Sequence, residues 1–193
     1  MPRKPRNVIP HVPYHVVQRG NRKQQIFFSE NDYLYYLKLL KENTLKYGLK
    51  IWAFCLMPNH IHMIVIPENI KSFQAIAQTH RAYTHMVNSR EGWRGHLWQE
   101  RFHSSTMDQL HLFAAVRYVE RNPVRAGIVQ KAQDYRFSSA NFHVQKLKTY
   151  SLLSPFFLED QISDWSTYLS SEDDDDLKLM RTGGDSCATV PLS

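Results

Sequence analysis

Short apolar runs alternate with longer stretches of helical period along this chain. Tyr14-His15-Val16-Val17-Gln18-Arg19-Gly20 reads as a strand ending at a glycine turn. Ser29 or Asn31 then offers an N-cap for a helix through Tyr47, with Gly48 as its stop. Leu34, Leu37, Leu40 and Leu45 mark its expected apolar side, and Lys38, Lys41 and Lys46 its solvated one. Residues 49–56 and 60–66 predict two further strands, separated by Met57-Pro58-Asn59. So short a connection predicts an antiparallel hairpin. Residues 72–88 predict a second helix carrying Phe73, Ile76, Ala77, Tyr83 and Val87. Past a loop bracketed by Gly92 and Gly95, residues 97–107 read as a fourth strand. A third helix begins near Asp108, with Leu112, Phe113, Val116 and Val119 as its buried side. It must end close to Asn122, because Pro123 disfavours helical geometry in the residue before it.

The fold class is therefore α+β. The order β-α-β-β-α-β is ferredoxin-like, an antiparallel sheet with helices on one face, here followed by a short C-terminal helical or disordered tail. The organised domain is expected to span residues 1–145, with an extension over 146–193. Residues 152–169 suit one or two short helices, Glu172 to Asp176 form an unbroken acidic run, and residues beyond Met180 suit a loose terminus.

Composition narrows the function classes. No apolar run approaches the roughly 18 residues that span a membrane. The two cysteines, Cys55 and Cys187, build neither a disulfide framework nor a cysteine zinc site, which suits a reducing cytoplasm. Charge is unevenly spread. Nine acidic and two basic side chains after residue 150 give −7, so residues 1–150 carry +13 of the overall +6. Such an excess attracts a polyanion, although a basic surface kept for solubility has the same composition.

His60 and His62 sit two apart on a predicted strand, so their rings share one face and suit a common metal ion. Hydrogen bonding to a neighbouring strand is the plainer alternative. Tyr118 and Asn122 are one turn apart on the third helix, off the centre of its apolar face, with Arg117, Arg121 and Arg125 around them. Tyr118 is then either a rim tyrosine or a nucleophile facing a cleft. A phenol is a poor nucleophile unless helped, and a divalent metal on a scissile phosphate supplies that help. Attack by Tyr118 would leave a covalent phosphotyrosine and a free DNA hydroxyl. Oxygen-rich surroundings at a phosphate favour Mg²⁺ or Mn²⁺.

These blocks resemble a known family. Met57-Pro58-Asn59-His60-Ile61-His62 resembles the His-hydrophobic-His (HUH) motif of single-tyrosine transposases. Leu97-Trp98-Gln99-Glu100-Arg101-Phe102 and Tyr118-Val119-Glu120-Arg121-Asn122-Pro123-Val124-Arg125-Ala126-Gly127 resemble the REP-associated branch. The resemblance covers about residues 8–145. It implies Tyr118 as nucleophile on the catalytic helix, His60 and His62 as metal ligands, and Asn122 completing the metal site. It also implies a hairpin-forming single-stranded DNA substrate; a bacterial cytoplasm and no membrane partner are expected, and monomer or homodimer stays open.

Supporting DNA contacts are expected from an N-terminal arm, Arg3, Lys4 and Arg6, and from Arg19, Asn21 and Arg22 after the first strand. Arg101 and His103 on the fourth strand, and Arg121 and Arg125 beside the tyrosine, complete the set. Trp98 and Phe102 are expected in the core, and Glu100 as a structural partner. Two competing readings are a non-catalytic nucleic-acid-binding module on a ferredoxin-like sheet and a zinc-stabilised structural domain, for which four ligands are normally needed.

The C-terminus departs from the family. Arg181-Thr182-Gly183-Gly184-Asp185 begins like its Arg-Thr-Gly-Arg-Pro-Leu-Gly stretch and then diverges. Removing residues 172–193 is accordingly expected to leave DNA cleavage measurable in a gel assay. A well-folded truncation without cleavage would refute this.

Overall fold

Strand alternation sets the architecture, which we describe from a computed structural model over residues 7–147, 152–155 and 157–171. Strands β1 (Tyr14–Arg19), β2 (Leu49–Met57), β3 (His60–Pro67) and β4 (His103–Thr106) form one sheet in the order β2-β3-β1-β4. All three neighbouring pairs are antiparallel. The helices are α1 (Glu30–Tyr47), α2 (Gln74–Glu91), α3 (Gln109–Glu120), α4 (Asn122–Arg125), α5 (Ala140–Val144), α6 (Leu158–Gln161) and α7 (Trp165–Ser170). None of these is long and apolar enough to cross a membrane.

The ferredoxin-like order holds, but the helices do not keep to one face. Ile61, Met63 and Val65 of β3 pack with Val16, Tyr36, Leu40, Ile76 and Tyr83, under α1 and α2. Ile64 and Ile66 pack on the opposite side with Leu112, Val116, Val119, Leu158, Trp165 and Leu169. A central strand apolar on both sides needs cover on both. Helix α3 and the C-terminal segment supply the second cover, so α6 and α7 belong to the same core as α3.

Three local expectations are corrected. On α1, Leu34 and Leu45 are exposed, while Tyr33, Tyr36, Leu40 and Thr44 are buried. The tyrosines carry the larger apolar area, and that area sets the helix's rotation. On α2, Ala77 is exposed and Ala75, Ile76, Thr79, His80 and Tyr83 are buried. The fourth strand is only His103–Thr106. Ahead of it, Leu97, Trp98 and Phe102 turn into the α1–α2 core. There the Leu97 carbonyl accepts from Asn21 N–H, and Gln99 N–H donates to Arg19.

Two glycines fix the loops at the sheet's ends. A Cβ on Gly20 would meet the Gln24 carbonyl oxygen at 2.3 Å, so the loop can fold back only over a glycine. Gly48 ends α1 in the left-handed region at φ 65°, where a side chain is disfavoured. Asp32 stabilises the other end of α1. Its carboxylate accepts from the N–H groups of Phe28 and Ser29 and pairs with Arg90.

One buried carboxylate pins α3. Glu120 is fully buried and accepts from Ser139 Oγ, from His143 Nδ1 at 2.6 Å and from Trp165 Nε1 at 2.9 Å. It thereby joins α3 to α5, α7 and the segment that edges β2. That segment bonds β2 directly, with Leu56 N–H donating to Phe137 and Ser139 N–H to Phe54. Burial opposes a charge on His143, but the adjoining Glu120 carboxylate outweighs it and raises the pKa. This contribution to stability is present in full below the unfolded value near 6.5 and is lost as pH rises through the folded value. Glu120→Ala is expected to cost roughly 3 kcal/mol or more in urea unfolding, since it strands the buried His143 Nδ1 and Trp165 Nε1 and removes a bond of Ser139. A change under about 1 kcal/mol would show that the cluster does not hold α3.

Candidate active site

The register of β1 against β3 gathers the polar side chains. Arg19 lies opposite His60, Val17 opposite His62 and His15 opposite Ile64. On the other edge of β1, His103 lies opposite Val17 and Ser105 opposite His15. Directly paired residues project from the same side of a sheet. His15, His60, His62 and His103 therefore share the face covered by α3. His15 was missed by sequence reasoning, although a histidine in a strand of valines carried the same signal as His62.

The histidines are held at their Nδ1 or Nε2 atoms in a way that suits metal binding. His60 Nδ1 donates to Asn59 Oδ1 at 2.6 Å, which leaves its Nε2 as the atom able to ligate. His62 Nδ1 lies 3.0 Å from His15 Nε2, so the same tautomer is available to His62. The His60 and His62 rings are 5.0 Å apart and nearly perpendicular, and the His15 and His62 rings are stacked at 5.2 Å. Burial, then repulsion from Arg19, pushes the His60 pKa down to about 4. Burial, then repulsion from His103, pushes His15 down to about 3. His62 is driven well down by burial, then by His15, His60, Arg19 and Arg125. All three imidazoles are thus neutral at pH 7, the form that ligates a metal.

Helix α3 brings Tyr118 over His62 and His15. Its ring lies 5.6 Å from that of His62 and 6.0 Å from that of His15, edge-on to both. Tyr118 is half-buried, with Leu112, Ala115, Val116 and Val119 beside it in the core. The stripe Tyr118, Asn122, Arg125 continues along the helical surface. Asn122 is buried, and its amide nitrogen donates to the Tyr118 carbonyl at 3.1 Å and the Val119 carbonyl at 3.4 Å. Its amide oxygen is the atom able to take a cation. The Arg125 guanidinium stacks 3.9 Å above the Tyr118 ring and donates to the Tyr118 carbonyl.

Among the described residues, no three His, Cys, Asp or Glu side chains are grouped to hold a metal ion. The expected donor set is two imidazoles with the Asn122 amide oxygen. That fits an open site whose remaining positions are filled by phosphate or water oxygens. It does not fit a closed four-ligand zinc site.

The Transposase IS200 like family model matches residues 9–122. The chain belongs to the IS200-like transposase family. A Haemophilus influenzae protein with the provisional name REP-associated tyrosine transposase is 29% identical over 115 residues, 53% of this chain and 64% of that one. The REP-associated tyrosine transposase of Escherichia coli K12 is 24% identical over 132 residues, 67% of this chain and 75% of that one. The chain thus spans just under two thirds of the first relative's length. A solved REP-associated tyrosine transposase bound to a REP hairpin shares the fold, with a TM-score of 0.65 at 16% identity. That likeness covers 98% of this chain and 100% of the other.

The matched segment holds His15, His60, His62, Tyr118 and Asn122. Arg19 and His103 flank the imidazoles, and Asn21 and Arg22 sit on the loop that follows β1. Two candidates sit elsewhere than their spacing predicts. Arg121 is buried and donates to the Leu169 carbonyl, because its place on the helix turns it toward α7 and not toward Tyr118. Arg101 precedes β4 and lines a cavity of about 460 Å³ with His80, Trp98 and Phe102, on the α2 side. It therefore does not alternate with His103 along a strand. Arg117 similarly lies over Tyr168, 4.9 Å from its ring, and only Arg125 of the three helical arginines stays on the tyrosine. Arg3, Lys4 and Arg6 lie outside the described residues, as do the acidic run and the divergent tail.

The depressed histidines predict acid sensitivity. Between pH 6.5 and about 3 the unfolded chain binds protons that the folded chain refuses, so stability falls as pH falls through that window. His15→Gln is expected to flatten this dependence in urea titrations at pH 4 to 7, with an unchanged slope counting against neutral buried imidazoles.

Proposed function

We propose that this protein cuts and rejoins single-stranded, hairpin-forming DNA through a covalent 5′-phosphotyrosine on Tyr118. The observation that carries the reading is the Tyr118 ring seated 5.6 Å from His62, over two neutral imidazoles. In the step proposed, the Tyr118 oxygen attacks the scissile phosphorus. The bond to the 3′ oxygen breaks, and the phenolic proton is passed to that leaving oxygen as the 3′ hydroxyl forms. Attack by a new 3′ hydroxyl on the phosphotyrosine reverses the exchange and joins strands with no external energy source.

His60, His62 and the Asn122 oxygen would hold Mg²⁺ or Mn²⁺. The ion would withdraw charge from the phosphate oxygens as the transition state forms. Arg125, stacked on the ring, keeps the phenol over the imidazoles and adds a positive charge where a phosphate would sit. The excess positive charge of residues 1–150 supplies the non-specific attraction to DNA. A REP hairpin, the DNA held by the structurally similar transposase, is the natural first substrate to test.

A denaturing gel with labelled hairpin DNA and Mg²⁺ tests the reading. Wild type is expected to form a protein–DNA adduct that EDTA prevents. Tyr118→Phe abolishes the adduct yet keeps hairpin affinity within about twofold. Binding by wild type with no adduct in Mg²⁺ or Mn²⁺ would instead make the protein a nucleic-acid-binding module.

A further inference from the structure

We propose that Phe28 and Trp93 form a stacking platform for an unpaired base of the strand flanking the hairpin stem, in a proposal that rests on the DNA-processing function above. Phe28 and Trp93 are 38% and 44% exposed, although both are large aromatics. Their rings meet edge-to-face at 5.6 Å, and the Arg90 guanidinium lies 5.8 Å from the Phe28 ring. Trp93 is the exposed member of the chain's four tryptophans, since Trp52, Trp98 and Trp165 are each at most 8% exposed.

The platform is built and held in place. Trp93 and Arg94 occupy the tip of a loop between Gly92 and Gly95, both in the left-handed region with open space where a Cβ would stand. The tip is fixed by Trp93 N–H donating to the Asn88 carbonyl and by Asn88 Nδ2 donating to Gly95. Phe28 is fixed by its N–H on the buried Asp32, which in turn binds Arg90. Two neighbouring, partly exposed rings on this loop leave apolar area that a stacking ligand can cover.

Its place and charge select the ligand. The loop runs on to Leu97, whose carbonyl bonds Asn21, two residues past Arg19. Arg19 lies opposite His60 at the same end of the sheet. The loop between Arg19 and Phe28 carries Arg22 and Lys23, and Phe27 N–H donates to the Pro58 carbonyl, which sets Phe28 at the His60 end of the sheet. Glu91 and Asp32 share Arg90, and Glu30 pairs with Arg136, so Arg22, Lys23 and Arg94 supply the surplus positive charge. Cations beside bare aromatic faces suit phosphates and bases of single-stranded DNA. A protein partner is disfavoured, because two rings offer far less than the ~800 Å² per side of a stable interface.

The test compares a blunt hairpin with the same hairpin carrying an unpaired tail of about five nucleotides, on either end, by anisotropy at fixed salt. Wild type is expected to bind the tailed hairpin at least about fivefold more tightly, the low end of one stacked base. The tail should also quench tryptophan fluorescence. Trp93→Ala and Phe28→Ala lose the tail increment while blunt-hairpin affinity stays within about twofold, which also shows the fold intact. Trp93→Phe retains most of it, and an abasic tail removes it in wild type. A tail increment unchanged in both alanine variants, or absent in wild type that still forms the Tyr118 adduct, overturns the platform alone. Wild type that neither binds hairpins nor forms the adduct overturns the functional reading and the platform together.

Discussion

The site exists because α3 is held against the one face of the sheet that carries imidazoles. The hold is a buried carboxylate. Glu120 reaches from the end of α3 to Ser139, His143 and Trp165, three donors from segments that follow it in the chain. A charge so deeply buried is tolerated only when its lone pairs are filled, so this arrangement admits little sliding of the helix. Two residues before Glu120 stands Tyr118, and its distance from His62 is inherited from that anchor.

The same packing explains the division of labour among the arginines. Arg117 and Arg121 lie on the side of α3 that meets α7, and they serve Tyr168, Ser171 and Leu169. Arg125 lies on the tyrosine stripe and stacks on the ring. Chemically identical side chains, four residues apart, thus divide between structure and site. The C-terminal segment, sparse in sequence signal, acts as the outer wall that makes this division possible.

Burial also prepares the imidazoles. Strand β3 places His62 in an apolar layer, and the cost of charging it there keeps it neutral across the physiological range. His15 and Asn59 then occupy the Nδ1 side of His62 and His60, leaving both Nε2 atoms available to a cation. What looks in sequence like a two-residue motif is a four-residue device drawn from two strands and a turn.

Much of this was legible in the chain itself. The His-x-His spacing dictated a shared face, because strand geometry has period two. Pro123 dictated where α3 stops, and the order of periods dictated a ferredoxin-like sheet. Tyr118 stood out only through the pattern around it. Tertiary structure decided what periodicity leaves degenerate. Leu34 and Tyr33 are adjacent on a helix, and only the partner surface chose the tyrosine for the core. Arg121 and Arg125 differ by one turn, and only α7 chose which would be buried. A third histidine joined the site through β1–β3 pairing across 47 residues of sequence; its own strand pattern marked it as unusual, but only the pairing set it beside His62. Local spacing thus fixes which side chains share a face, and long-range packing alone fixes what that face meets.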